Sequence, residues 1–223
     1  CNLGESFVTN PSVDVSYSDA ATGAKQIKLL GLSGTYVQML TENIPNYRGA
    51  ASPYGLGYVP GPWMQSIQVS KGISSVKNGY EAITGQINVE FKKPQLLEAD
   101  WVSANLFASS TNRYEANADA TLKLSKRWST SLLAHYENET KAHDGNDDGF
   151  VDIPQVEQYN VWNRWAYMGD HYVFQAGFKA LSESRTSGQA HHTDMQTGDL
   201  YKVGIDTERY EFFTKNAYIF NKE

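Results

Sequence analysis

A single cysteine, Cys1, in a chain of 223 residues excludes an internal disulfide framework and a cysteine-based zinc site. Positive charge is scarce. Lys and Arg number 19 against 25 Asp and Glu, a formal net charge of −6. That excludes the basic footprint a nucleic-acid binder needs to displace counterions. No apolar run reaches the ~18 residues of a membrane-spanning helix. Catalytic signatures are missing as well: no Ser/His/Asp motif, no phosphate-cradling G-x-x-x-x-G-K and no H-E-x-x-H occurs, so no enzyme is expected. Proline almost vanishes after Pro94, where Pro154 alone remains of seven.

What the chain has is aromatics, at 13%, and 18 glycines. With little helical periodicity, that composition points to β structure. A mean hydropathy of −0.50 does not exclude a membrane, because a β-barrel confines its apolar face to alternate residues.

The texture changes near residue 95. Before it come short strand-like runs, such as 36–40, 67–69 and 87–91, set among Gly- and Pro-rich loops, which read as a small α+β domain. After it, alternation takes over. From Arg113 to Leu124, Tyr114, Ala116, Ala118, Ala120, Leu122 and Leu124 alternate without exception with Arg113, Glu115, Asn117, Asp119, Thr121 and Lys123. A strand of this pattern has one apolar and one strongly polar face. Weaker versions cover 98–109, 128–137, 158–168, 171–180 and 209–220. Leu133, Trp162 and Asn163 break the pattern. The six strands are joined tightly at 109–112, 125–127 and 169–170. Longer connections of about twenty and about twenty-five residues follow the third and fifth, as in barrels with short turns on one rim and long loops on the other. Aromatics near the strand ends suit membrane interfaces. Strand pattern alone leaves a soluble antiparallel sheet equally open.

The stretch MQSIQVSKGISSVKNGYEAITGQINVEFKKP, Met64 to Pro94, resembles the closing part of the plug domain of TonB-dependent outer-membrane receptors. Ile67, Val69, Lys71 and Gly72 match a strand of the type I-E-x-I-E-V-x-R-G. Gly79, Ala82, Ile83, Gly85, Ile87, Asn88, Val89 and Pro94 match the element ending G-x-I-N-I-x-x-K-x-P. Upstream, Asn10 to Val13 resembles the L-P-G-V region, Gly31-Leu32 the R-G position, and Tyr36 to Pro45 the V-L-I-D-G-I-P strand and turn. Departures are Lys71 for Arg, Ile73 for Pro, Leu30 for the Arg before Gly31, and Thr41-Glu42-Asn43 for Asp-Gly.

The resemblance implies an α+β plug over 1–94, truncated at its N-terminus, followed over 95–223 by the first six or so strands of an antiparallel transmembrane β-barrel. The expected protein is a fragment of a Bacteroidetes-type receptor in the bacterial outer membrane. It would actively import a large, scarce solute: an iron-siderophore, haem, cobalamin or another metal complex. Expected partners are TonB through a missing N-terminal segment, outer-membrane lipid, the metal chelate and a surface lipoprotein, with no nucleic acid. The alternative is a soluble β-rich cell-surface module, for instance a glycan binder.

Two sites follow. The resemblance places the apical loop 43–63 toward the solute, with Asn46, Tyr47, Arg48, Tyr54, Tyr58 and Trp63 as ligand-binding candidates. Residues 144–152, D-G-N-D-D-G-F-V-D, match the spacing of a calcium loop. Oxygen donors would come from Asp144, Asn146, Asp148, the Phe150 carbonyl and Asp152, although Gln155 stands where a bidentate Glu is usual. His143, His191 and His192 could hold a transition metal in the same external loops. No other cofactor is expected.

Overall fold

The computed structural model describes residues 2–8, 10–19, 21–94, 101–191 and 198–220. The chain divides into two compact units, Cys1–Lys92 and Lys93–Glu223.

The first unit opens on a single helical turn, α1 (Leu3–Ser6), closed by a capping box in which Asn2 and Glu5 satisfy each other's backbone N–H. A hairpin follows, β1 (Asp14–Asp19) against β2 (Ala24–Lys28). The main sheet holds four strands: β3 (Val37–Thr41), β4 (Ile44–Pro45), β5 (Met64–Lys71) and β6 (Gly85–Phe91). Its order is β4-β3-β6-β5, with β3 and β6 parallel and the other pairs antiparallel. Central β6 buries Ile87, Val89 and Phe91, β3 buries Val37 and Leu40, and Trp63 meets the Phe91 ring edge-on at 5.9 Å. Glu42 and Asn43, at φ of 57° and 62°, form the two-residue left-handed turn that a β3–β4 hairpin requires. The turn is pinned from β6: Asn43 N donates to Asn88 Oδ1 at 2.8 Å, and buried Glu42 accepts from Phe91 N at 3.0 Å.

The second unit is a meander: β7 (Trp101–Ala108), β8 (Arg113–Lys123), β9 (Trp128–Glu139), β10 (Gln155–Met168), β11 (Tyr172–Gly188) and β12 (Lys202–Tyr218). Each strand pairs antiparallel with its neighbours in sequence. All six strands read from the alternation are present. β10, β11 and β12 run longer than expected, so the long connections shrink to 140–154 and 189–201. The added ends carry Ser182, Ser184, Asp206 and Glu208 on the exposed face. Hydrophobic alternation stops there, but the backbone ladder continues.

The two faces of this sheet are sorted in reverse of a soluble protein. The buried face carries Glu115, Asn117, Asp119, Thr121, His135, Glu137, Gln158, Asn160, Arg164, Lys179 and Glu183, all 8% exposed or less. The exposed face carries Val102, Leu106, Leu122, Leu132, Val161, Trp165, Phe178 and Phe212. Leu133 and Trp162, which broke the sequence alternation, stand on the polar face and are buried; Asn163 stands on the apolar one. Aromatics gather at the two ends of the exposed face. Tyr136 and Tyr159 pair at 4.9 Å, while Trp128 meets Tyr167 at 5.1 Å and Phe174 at 6.4 Å. Each β9–β10 aromatic is eight positions from its counterpart at the other end. That is roughly 26 Å along a strand and roughly 20 Å across a bilayer at ~40° tilt, close to the ~25 Å apolar band of outer-membrane barrels. Among the described residues no helix is long and apolar enough to cross a membrane, a finding that does not bear on strands.

The facing assignment sets Ala118 on the exposed apolar face and Asn117 on the buried polar one. On the expectation of a membrane-spanning strand, Ala118→Arg should cost about 2–4 kcal/mol near the bilayer midplane and abolish a heat-modifiable gel band. Asn117→Ser is expected to retain it. Equal tolerance at both positions would contradict the assignment.

Candidate functional site

The loop 43–63 separates into an inner and an outer set. Tyr47, Tyr58 and Trp63 are 3%, 1% and 1% exposed, which places them in the packing of the first unit instead of on a solute-facing surface. Tyr47 adopts a left-handed φ of 52° and its ring lies 6.3 Å from that of Tyr58. The packing uses the missing side chain of Gly55, where a Cβ would come 2.6 Å from Tyr47 Cβ. Asn46, Arg48 and Tyr54 keep part of their surface. Asn46 Nδ2 donates to Thr41 Oγ1 at 3.2 Å, and its Oδ1 accepts from Tyr47 N at 2.8 Å. Arg48 directs Nε and Nη2 onto Glu81 Oε1 at 2.9 and 2.8 Å. The hydrogen bond and charge of Glu81 raise the Arg48 pKa above its ordinary value, with a smaller contribution from Tyr80. A separate cleft of about 190 Å³, lined by Lys25, Gln26, Thr35, Met39, Ser52 and Leu56 among others, is smaller than the ~300 Å³ at which drug-sized ligand sites begin.

The polar face of the second unit is a network of paired charges. Arg113 bridges Glu115 and Glu137 at 2.7 and 3.0 Å, and His135 Nδ1 lies 2.8 Å from Asn117 Oδ1. Glu183 accepts from Gln158 at 2.8 Å and pairs with Arg185 at 3.1 Å. Glu211 stands 2.7 Å from Arg209 and 3.9 Å from Lys179. Buried charges persist when paired and hydrogen-bonded. Beside them Trp162 and Phe213 stack at 5.4 Å, with the Arg164 guanidinium 5.4 Å from the Phe213 ring. Gly177 makes room, since a Cβ there would come 2.2 Å from that ring. Trp162 signals this cluster in the sequence only as an interruption of an alternating strand.

The acidic loop uses its oxygens on its own backbone. Asp144 accepts from Gly149 N at 2.8 Å and Asp148 N at 3.2 Å; Asp148 accepts from Phe150 N at 2.8 Å; Asp152 accepts from Gly145 N at 2.6 Å. Asn146 Nδ2 donates to Asp148 at 2.9 Å. Asp147 and Gly149, at φ of 58° and 85°, make the tight bend. Burial pushes the Asp144 carboxyl up, but the amides of Gly149, Asp148 and Asp147 and the nearby His191 outweigh it and hold it below its ordinary value. Among the described residues, no three His, Cys, Asp or Glu side chains are grouped as around a metal ion. The Asp144, Asp148 and Asp152 oxygens of the calcium-like spacing accept from the amides of the turn itself. His143 lies 3.7 Å from Asp152 and His191 3.7 Å from Asp144, each beside a different carboxylate, and His192 falls outside the described residues. The two long connections touch. Phe150 bridges to Gln189, and Ala190 N donates to Gly149 O at 2.8 Å.

The chain thus combines a small α+β domain with an antiparallel strand meander whose buried face is charged and whose exposed face is aliphatic. Residues 1–86 match the family described as the TonB-dependent Receptor Plug Domain. P. aeruginosa FpvA, solved bound to heterologous pyoverdines, has a similar fold at a TM-score of 0.73 and 16% identity, over 98% of this chain and 30% of its own. The copper transporter OprC is similar at 0.69 and 16%, over 84% and 29%. The siderophore receptor PiuA from Acinetobacter baumannii follows at 0.64 and 14%, over 82% and 24%. The chain thus spans less than a third of the length of these structures. No curated protein sequence gives a significant match.

Gly55→Ala is expected to destabilise the first unit by about 1–3 kcal/mol through overpacking against Tyr47, whereas Arg48→Ala should leave its stability nearly unchanged, as loss of an exposed pair does. Urea unfolding followed by Trp63 fluorescence measures both. Because the Asp144 pKa is lowered on folding, its contribution is present above the ordinary carboxylate range and fades as pH falls through the lowered value. Amide protection at Asp148 and Gly149 should therefore drop only as pH falls below the ordinary carboxylate range, and the drop should be absent in Asp144→Asn.

Proposed function

We propose that the chain is part of an outer-membrane importer that takes up a large, scarce solute, a metal complex, with energy delivered through TonB. The observation that carries this reading is the reversed sorting of the six-stranded sheet beside a plug domain. Aliphatic and aromatic side chains that a soluble sheet would bury are exposed, as contact with lipid demands, and the charges form a lining fit for a wet interior. In this reading the meander is one sector of a wider barrel. β7 and β12, each with a single neighbour among the described strands, continue their ladders into further strands, since an open edge in lipid leaves main-chain groups unsatisfied.

For the solute, Asn46, Arg48 and Tyr54 are the contacts we assign on the loop 43–63. They are the members of the candidate set that retain accessible surface, and they offer hydrogen bonds and one cation to an oxygen-rich chelate. The resemblance in fold to proteins named as a copper transporter and as siderophore receptors agrees with a metal complex as cargo.

Cell fractionation with an antibody to this chain, comparing boiled and unboiled samples, tests the placement. An outer-membrane band whose mobility shifts on boiling is expected; a soluble band near 24.9 kDa without a shift would favour the cell-surface binding module instead. Uptake of iron-siderophore and of cobalamin, in cells with and without TonB, tests the transport step. At least one is expected to enter only when TonB is present.

A further inference from the structure

The segment between β5 and β6 is tied to the first unit in an unusual way. It begins at Gly72 and ends at Gly85, with Gly79 between, at φ of 89°, 156° and 109°. Its base is closed on itself by Gly72 N to Thr84 O at 2.8 Å and Ser74 N to Ala82 O at 3.3 Å. Its large apolar side chains do not pack against the sheet: Ile73, Val76 and Tyr80 are 89%, 88% and 82% exposed. What holds the segment down is mainly polar. Gln86 Oε1, on β6, accepts from Ser74 Oγ at 2.6 Å and from Asn78 Nδ2 at 3.0 Å, and Gln38 Nε2 donates to the Asn78 carbonyl. At the far side Arg48 of the loop 43–63 grips Glu81 through two nitrogens. Near the C-terminal hinge the N–H groups of Ile83 and Thr84 both donate to Tyr36 O.

We propose that residues 72–84 form a glycine-hinged flap that opens from the sheet of the first unit as one piece, with the Arg48–Glu81 ion pair as its latch. The proposal rests on the plug reading and gives the plug a defined part that yields before its sheet does. Opening breaks a few side-chain hydrogen bonds, the two N–H bonds to Tyr36 O and one exposed ion pair, uncovers Ala82 and Thr84, and leaves the β3–β6 core of Val37, Leu40, Ile87, Val89 and Phe91 untouched. Gly72 and Gly85 absorb the backbone change. Gly72 has open space around its Cβ position, whereas a Cβ at Gly85 would come 2.3 Å from Ser70 O, so Gly72 is the freer of the two hinges. An exposed latch is also sensitive to salt, since the Debye length falls from ~30 Å at 0.01 M to ~3 Å at 1 M.

Hydrogen exchange with mass spectrometry on the full chain in detergent micelles tests this. Arg48→Met is expected to speed exchange of peptides within 73–83 by about 1.5- to 5-fold, the range an exposed ion pair supplies, with 37–41 and 85–91 unchanged. Raising salt should accelerate the same peptides in the wild-type chain and leave Arg48→Met where it is. Ser74→Ala, which removes one of the two bonds to Gln86, should accelerate the flap further without reaching the sheet. Unchanged flap exchange in Arg48→Met and in wild-type chain at high salt would overturn the proposal. So would acceleration of the sheet strands by the same factor. The exchange result stands whatever the fractionation gives, so the flap and the importer reading fail separately.

Discussion

The antiparallel ladder from β7 to β12 is the constraint on which the second unit depends. Each inner strand satisfies its N–H and C=O groups on both neighbours, so the backbone requires neither water nor a helix. In hydrocarbon only a helix or a continuous sheet meets that condition. Once the ladder is fixed, period two assigns every side chain to one of two faces, and a slip of one residue would carry Arg113, Glu115, Asn117 and Asp119 to the apolar side. The register is therefore held by solvent contrast across the sheet as well as by its hydrogen bonds.

The buried face shows how that contrast is made tolerable. A carboxylate or guanidinium removed from water costs several kcal/mol unless it is matched. Arg113 serves two glutamates, Glu183 serves a glutamine and an arginine, and Glu211 lies beside both Arg209 and Lys179. Trp162, Phe213 and Leu133 fill the remaining space with apolar bulk. A purely polar face would leave gaps here, and Gly177 exists beneath Phe213 for the same steric reason.

The first unit answers to a different requirement. Its sheet is too small to be stable without a well-filled core, so residues from the long loop turn inward. Tyr47, Tyr58 and Trp63 complete the packing around β3 and β6, and of the candidate residues Asn46, Arg48 and Tyr54 keep accessible surface. The segment 72–84 buries Ala82 and Thr84 at its C-terminal end, and the contacts of the rest are mainly polar ones that water can replace.

The sequence by itself determined the two-part organisation, the six strands of the second unit and the side of each strand on which most residues lie. Alternation is local, and with period two it needs no knowledge of the partner strand. It could not say which face is buried, because an apolar face against lipid and one against a protein core read alike; the burial of Glu115, Arg164 and Lys179 decided that. Nor could it follow β11 and β12 beyond the apolar band, where the ladder persists without hydrophobic pattern. Among the candidate residues, an aromatic on a Gly- and Pro-rich loop looks the same whether it points out or in. Only the tertiary structure sent Tyr47, Tyr58 and Trp63 inward and closed Asp144, Asp148 and Asp152 onto backbone amides, because packing and hydrogen-bond partners come from residues distant in the chain or from the conformation of the turn itself.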